Sequence, residues 1–187
     1  MKSERNISKT WNLSAKNCLA EALITMMQTE NIEDIHIKDL VEKAGVSRMS
    51  YYRYFSSKTE ILIYYMEYIL KEYENTVEKN TKHFFQSYDH ILESLIFFKN
   101  YKEFALCLER SHLSYILMDS LNTYIEKQNS FDKTKAVRSY PFYYYAGALY
   151  NIYMQWIKND SKDAPEKLAS IIYQLTPHTG MLTARPQ

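Results

Sequence analysis

The sequence predicts an all-α protein with a helix-turn-helix near its N-terminus and a helical bundle in the remainder. Glycine and proline are scarce, with 3 and 4 in 187 residues, and 46% of the residues are apolar. This combination is typical of an ordered, mostly helical chain. Apolar residues also recur at helical spacing along most of the sequence. We place one domain at residues 1–60 and a second at residues 61–187.

The first helix is predicted over about Leu13 to Met27. Apolar positions repeat there at helical spacing, so one face of the helix can cover the elements that follow. A polar loop at residues 31–34 ends this part of the chain. The apolar face consists of Leu19, Ala22, Leu23, Met26 and Met27.

Two short helices are predicted on either side of Gly45. Gly45 ends the first, because the left-handed conformation common after a helix is readily adopted only by glycine. Ser47 is a good N-cap for the second helix. Within that helix Tyr51 and Phe55 are predicted to face inward. The first helix takes its apolar face from Ile37, Leu40, Val41 and Ala44.

A long helix follows, from Lys58 to about Lys82. Ser57 and Glu60 have the spacing of a capping box at its start. Further helices are predicted at about residues 88–98, 101–109, 113–128 and 140–158. A last helix begins after Asp163, which we expect to cap it, with Pro165 in its first turn.

Residues 35–60 resemble the DNA-binding domain of TetR/AcrR-family transcriptional regulators, over roughly the first third of the chain. The resemblance implies a homodimer that binds a palindromic operator in double-stranded DNA, represses transcription and is released by a small effector. The sequence departs from the family at two positions. His36 stands where the family usually has a threonine or serine that caps the helix beginning at Ile37, and Met49 replaces a commonly small residue. The similar segments are Lys38-Asp39-Leu40, Ala44-Gly45-Val46-Ser47-Arg48, Tyr51-Tyr52-Arg53-Tyr54-Phe55 and Lys58.

Side-chain chemistry assigns the DNA contacts in part. The fork of Arg48 matches O6 and N7 of guanine, and Met49 can contact only apolar groups such as a thymine methyl. Hydroxyls and cations bind phosphates, so chemistry alone assigns phosphate contacts to Ser50, Tyr52, Tyr54 and Lys58, and it differs from the family pattern chiefly at Tyr52. The resemblance implies base contacts at Lys38, Arg48, Met49 and Tyr52, and phosphate contacts at Ser50, Arg53, Tyr54 and Lys58. The full predicted set is Lys38, Ser47, Arg48, Met49, Ser50, Tyr52, Arg53, Tyr54 and Lys58.

The second domain is rich in aromatic residues, in a chain with 18 tyrosines and 8 phenylalanines. Such rings either fill the core or enclose a small apolar, aromatic or cationic effector, as relatives commonly do. We expect an apolar or aromatic effector. The residues predicted to line its pocket are Phe98, Tyr101, Phe104, Tyr115, Tyr143, Tyr144 and Tyr150.

The last two helices either close a monomeric core or pair with their copies in a second subunit, as the resemblance implies. The small residues of Ala146-Gly147-Ala148 favour pairing, because they let helices approach closely. Proteins with a helix-turn-helix also usually bind two half-sites about one DNA turn apart. The predicted interface residues are Ala146, Gly147, Tyr150, Met154, Leu168, Ile171, Ile172 and Leu175.

No catalytic motif is visible, so we expect no enzyme activity, no cofactor and no metal. His83 and His90 are interpreted as surface residues, and Cys18 and Cys107 as buried, reduced thiols. The sequence shows neither an export signal nor a membrane helix, so we expect a cytoplasmic protein. The alternative function is that of a TetR-like interaction protein or coactivator controlled by a protein partner.

Overall fold

The computed structural model describes residues 14–78, 87–128 and 140–176. Over these ranges the chain is helical and contains no strand. It divides into two compact units, Met1–Tyr65 and Met66–Gln187. The helices are α1 (Ala15–Met26), α2 (Ile37–Ala44), α3 (Arg48–Tyr54), α4 (Lys58–Tyr73), α5 (Tyr88–Lys99), α6 (Lys102–Arg110), α7 (Tyr115–Gln128), α8 (Tyr140–Lys158) and α9 (Pro165–Leu175).

In the first unit α1 packs against both α2 and α3. The predicted apolar face of α1 is buried, and so are Leu40 of α2 and Tyr51 of α3. Gly45 ends α2 in the left-handed conformation, with φ 65° and ψ 31°. This places the N–H of Val46 3.0 Å from the carbonyl oxygen of Val41, which the helix end would otherwise leave without a partner.

Serine side chains cap several helices. The hydroxyl oxygens of Ser14, Ser47 and Ser87 accept from backbone N–H groups in the first turns of α1, α3 and α5. The predicted capping box of α4 is present, since the Ser57 hydroxyl accepts from the N–H of Glu60. Hydrogen bonds from the Ser56 hydroxyl and N–H in turn hold the pKa of the Glu60 carboxyl below its usual range.

The predicted long helix changes type part-way along. The α-helix ends at Tyr73 and continues directly into a π-helical turn, Glu74–Glu78, whereas the sequence predicted a single helix to about Lys82. Within the turn the Thr76 hydroxyl donates to the carbonyl oxygen of Glu72 at 2.7 Å, a local bond that competes with the regular ladder. Residues 79–86 lie outside the described part of the chain.

In the second unit α5 packs on α9, and α8 packs on α6 and α7. One core cluster is mostly aliphatic and lies between α5, α6, α8 and α9, around Leu95, Met154, Ile157 and Ile172. A second is mostly aromatic, and contains Tyr73, Tyr124, Ile125, Tyr145 and Ala146. Aromatic rings therefore fill part of the core of this unit, which is one of the two roles that the sequence left open for them.

The start of α9 corrects a second expectation. The N-cap is Ala164, and it makes no side-chain hydrogen bond, although Pro165 does stand in the first turn. Asp163 instead accepts from Lys167 at 2.7 Å, and its carbonyl oxygen accepts from the indole N–H of Trp156 at 2.9 Å. The sequence spacing matched that of a capping residue, but Asp163 instead links the start of α9 to the end of α8 through these two hydrogen bonds.

The first prediction concerns the N-cap of α2. His36 has the extended backbone of an N-cap, with φ −79° and ψ 142°, but makes no side-chain capping bond. We expect His36→Thr to raise the free energy of unfolding by about 1 kcal/mol, because a threonine hydroxyl can accept from a first-turn N–H. Urea denaturation measures this, with His36→Ala as the control without a hydroxyl. A gain of the same size in both variants would show that the gain does not come from capping.

Candidate nucleic-acid interface and ligand cavity

The helix α3 is seven residues long and is held from below by two aromatic side chains. Tyr51 is 1% exposed, and Phe55, directly after the helix, is also buried. At the other end the Ser47 hydroxyl accepts from the N–H of Ser50 at 3.1 Å. Its oxygen also lies 3.0 Å from that of the Ser50 hydroxyl. These contacts fix both ends of a helix that is too short to be stable alone.

The opposite face of α3 is exposed. Met49 is 72% exposed and Tyr52 is 62% exposed, far above what a large apolar side chain usually shows. Arg48, Arg53 and Tyr54 are exposed beside them. Lys38 on α2 and Ser47 are exposed as well, and Ser50 is half-buried. One surface thus carries an arginine and a methionine in the first turn of a short helix, which is where helix-turn-helix proteins contact base edges.

Lys58, one of the predicted phosphate contacts, is hydrogen-bonded within its own unit. Its ammonium donates to the carbonyl oxygens of Ile32, of Glu33 at 3.3 Å and of Ile35 at 2.8 Å. An ammonium has three hydrogens, and all three are directed at the segment that leads into α2. Lys58 therefore ties the start of α4 to this segment, and its phosphate contact stays a prediction. The partners are more than twenty positions away in the sequence, so no local pattern indicated the contact.

Lys16 is a residue that the sequence reading missed. Its ammonium lies over three rings, 5.5 Å from the centroid of Tyr54, 5.9 Å from that of Phe55 and 5.2 Å from that of Tyr64. Cations are attracted to ring faces at these distances. The contact holds a positive charge beside Tyr54, one of the predicted phosphate contacts. Only the packing of α1 against α3 brings the two together.

The second unit contains a cavity of about 140 Å³. Its wall is largely apolar and aromatic, and its rings include Phe98, Tyr124, Tyr145, Tyr150 and Tyr153. Burial raises the pKa of both Tyr145 and Tyr153, so their hydroxyls stay protonated at neutral pH. Apolar cavities with a few polar groups are the usual form of small-molecule sites.

Two of the seven predicted pocket residues, Phe98 and Tyr150, line this cavity. The hydroxyl of Tyr101 donates to Glu72 at 2.6 Å, and Phe104 is buried away from the cavity wall. The other three, Tyr115, Tyr143 and Tyr144, lie at the surface. The prediction failed for them because helical spacing cannot tell which face of a helix rich in rings points inward.

The expectation for His90 is wrong, because this residue is buried rather than at the surface. Its Nε2 lies 3.0 Å from the hydroxyl oxygen of Tyr73, which is 2.6 Å from that of Ser94. All three residues line the cavity, and they form a polar cluster in its wall. His83 lies outside the described residues.

Three of the eight predicted interface residues belong to the core of their own unit. Ala146, Met154 and Ile172 are buried, because α8 and α9 already pack within the subunit. Gly147, Tyr150 and Leu168 are half-buried. Ile171 and Leu175 are exposed, Leu175 by 68%. Of the predicted set, the residues that remain open to a second subunit lie mainly on α9.

Two family models match this chain. The model described as "Bacterial regulatory proteins, tetR family" matches residues 19–65, which contain the helix-turn-helix. The model described as "Transcriptional regulator C-terminal region" matches residues 86–178. The chain belongs to the TetR family of transcriptional regulators. The resemblance inferred from residues 35–60 and the predicted all-α class are thereby confirmed.

Two individual proteins are also similar to this TetR-family regulator. An "Uncharacterized HTH-type transcriptional regulator YxbF" from Bacillus subtilis (strain 168) is 23% identical over an alignment of 173 positions, which covers 87% of this chain. The match spans 44% of that relative, so the chain covers less than half of its length. A solved structure, "Dihydroxyacetone kinase operon activator DhaS", is 18% identical with a TM-score of 0.59. It covers 88% of this chain and 95% of its own, and it supports the fold.

Two features are absent from the described residues. These residues contain no group of three or more histidine, cysteine, aspartate or glutamate side chains placed to hold a metal ion. No helix within them is long and apolar enough to cross a membrane. Both cysteines are free thiols; Cys18 is half-buried, and burial raises the pKa of the Cys107 thiol.

The position of Lys58 generates a second prediction. We expect Lys58→Met to lower the free energy of unfolding by about 2 kcal/mol, because three carbonyl groups lose a charged donor. Thermal and urea unfolding measure this loss, with Lys43→Met at the exposed end of α2 as the control. The folded variant should keep its affinity for DNA. Unchanged stability with a weaker dependence of DNA affinity on salt would instead establish Lys58 as a phosphate contact.

Proposed function

We propose that this regulator acts as a cytoplasmic homodimer that binds a pseudo-palindromic operator in double-stranded DNA and represses transcription. We further propose that a small, largely apolar effector releases it. The observation that carries the proposal is the exposed face of α3, with Arg48 and Met49 in its first turn and Tyr52 one turn later. A dimer of such units would offer two of these helices to half-sites one turn of DNA apart.

Roles follow from the chemistry of the exposed groups. Arg48 is assigned to O6 and N7 of a guanine, and Met49 to an apolar group such as a thymine methyl. Lys38 and Tyr52 are assigned to neighbouring base edges, as the family resemblance implies. Phosphate contacts are assigned to Arg53, Tyr54 and the Ser47–Ser50 end of the helix, whose N–H groups favour anions. Lys16 joins the phosphate set.

The proposed dimer face is an apolar stripe on α9. Leu168, Ile171 and Leu175 follow one another at helical spacing, and exposure increases along the stripe from half-buried Leu168. Gly147 on α8 supports the proposal, since a Cβ built there meets no atom within 4 Å among the described residues, apart from its chain neighbours and its own helix backbone. A glycine with open space beside it lets a second helix approach closely.

A third prediction concerns operator binding. Purified protein is incubated with sheared DNA from its source genome, and the bound fragments are sequenced at two salt concentrations. We expect a few sites with pseudo-two-fold symmetry. Arg48→Ala should weaken binding to such a site by about tenfold to a hundredfold and relax the preference at one base pair, because one bidentate contact is lost. Arg53→Ala should weaken binding by about the same factor at every DNA sequence.

The control for both variants is Lys127→Ala, an exposed lysine on α7 in the second unit. It should leave operator affinity unchanged. Recovery of fragments without sequence preference, from a protein shown to be folded by circular dichroism, would contradict the proposed function. The second candidate, regulation through a protein partner, would then become the better one.

A fourth prediction concerns the oligomeric state. Ile171→Glu combined with Leu175→Glu should convert the dimer to a monomer, because two charges on each subunit would face the apolar stripe of the other. Sedimentation velocity measures the mass. Ile96→Glu, which changes an isoleucine of similar exposure on α5, is the matched control and should stay dimeric. A double variant that remains dimeric would place the interface elsewhere.

One observation bears on the sign of regulation. The solved structure that shares this fold carries the name of an operon activator, so the fold does not by itself imply repression. The sign of regulation is tested by a reporter gene placed behind a recovered operator. Higher expression with the regulator than without it would identify an activator, and the effector and dimer proposals would still stand.

A further inference from the structure

The hydrogen-bond directions in the wall of the cavity can be worked out from Ser94. Its hydroxyl oxygen lies 2.6 Å from the carbonyl oxygen of His90, and a carbonyl only accepts, so the single hydroxyl hydrogen of Ser94 lies between them. The Tyr73 hydroxyl, 2.6 Å from the same serine oxygen, must then donate to it. The Tyr73 oxygen in turn accepts from Nε2–H of His90 at 3.0 Å.

These hydrogen-bond directions define which groups in the cavity wall donate and which accept. His90 Nε2, Tyr73 and Ser94 form a ring of bonds that returns to the backbone of His90, and each hydrogen in the ring has an acceptor. The Ser94 oxygen uses one lone pair for the Tyr73 hydrogen and has a second. Ser94 is one of the residues that line the cavity. The Tyr153 hydroxyl donates to the carbonyl oxygen of Phe98 at 3.0 Å.

Among the residues that the structure describes, the cavity lining holds no acidic or strongly basic side chain. No aspartate, glutamate, lysine or arginine belongs to its described lining, and His90 directs its Nε2 hydrogen to Tyr73. The raised pKa values of Tyr145 and Tyr153 keep these hydroxyls uncharged at neutral pH. Moving an ion from water into such a site is costly without a countercharge. An uncharged ligand is therefore favoured.

The size of the cavity limits the ligand to about one ring. Its volume is about 140 Å³. A dry, apolar cavity of about 150 Å³ is known to hold benzene. Six aromatic side chains, Tyr73, Phe98, Tyr124, Tyr145, Tyr150 and Tyr153, surround this space, and ring edges and faces pack well against a planar molecule.

We propose that the cavity binds an uncharged molecule of the phenol class, with one aromatic ring and a hydroxyl that donates to the Ser94 oxygen. The inference rests on the proposed function in one respect, namely that the occupant of this cavity is the effector. The rings stack against the ligand, and Ser94 selects a donor over an acceptor. The ligand completes the hydrogen bonding of the serine oxygen and disturbs no bond of the cluster.

The competing class is an organic cation held by the rings alone. Aromatic cages do bind quaternary ammonium groups, and six rings would suit one. If the cavity bound an organic cation, that cation would bind more tightly than a neutral phenol. Its binding would not depend on a hydrogen bond to the Ser94 oxygen. The choice between the two is made by matched probes of one-ring size.

The fifth prediction is tested by isothermal titration calorimetry of the full-length protein without DNA at neutral pH. The probes are phenol, anisole, phenyltrimethylammonium and benzoate. We expect phenol to bind about fivefold to tenfold more tightly than anisole, which has the ring but no donor, as one hydrogen bond provides. The two ions should show no measurable binding. In Ser94→Ala the preference for phenol over anisole should disappear, whereas Ser170→Ala on α9 should keep it.

Three results would overturn the proposal: either ion binding more tightly than phenol, phenol and anisole binding equally to the unsubstituted protein, or no probe binding at all. Leu121→Phe, which should fill part of the cavity, checks the location, and undiminished binding of phenol by this folded variant would also overturn it. The outcome is separate from that of operator binding. A protein that binds phenol but no specific DNA would refute only the regulator proposal, and one that binds operators but no phenol would refute only this inference.

Discussion

The proposed DNA-binding surface depends on the burial of Tyr51 and Phe55. A helix of seven residues has too few internal hydrogen bonds to persist alone, so α3 exists because its inner face is held in the core of the first unit. Once these two rings are buried, the helical repeat puts Met49 and Tyr52 on the outside. The exposed side chains are thus a direct consequence of the buried ones.

The same unit uses charge to hold its backbone in place. Lys58 binds three carbonyl groups of the segment before α2, and Lys16 lies over the rings of Tyr54, Phe55 and Tyr64. Both cations connect elements that are distant in the sequence. They fix the position of α2 and α3 in a unit whose α2 begins without a side-chain cap. Rigid support of this kind keeps contact residues in a productive geometry.

In the second unit, aromatic side chains serve two purposes. Tyr73 packs edge-on against Phe97 and Tyr124 and so belongs to the core, while its hydroxyl belongs to the polar cluster with His90 and Ser94. Large rings leave gaps that smaller side chains would fill, and a cavity remains among them. The polar cluster gives that cavity one directional group in an otherwise apolar wall, which is the arrangement that selects a ligand by orientation.

The sequence by itself determined the helical class, most helix positions and the helix-turn-helix, because these depend on local signals. Gly45 adopts the left-handed turn that its position predicted, and the Ser47 cap and the Ser57–Glu60 spacing act over three residues. The helix predicted at residues 140–158 matches α8 residue for residue. The exposed set on α3 was also predictable, since one helical repeat separates inner from outer positions.

Only the tertiary structure decided which long-range partners meet. The engagement of Lys58, the burial of His90 and the position of Lys16 depend on segments far apart in the chain, which no spacing rule covers. Helix α8 is apolar around a wide arc, so periodicity could not tell that Ala146 and Met154 point into the subunit while Tyr144 faces outward. The cavity is likewise a property of packing, because it depends on the space left between rings from several helices.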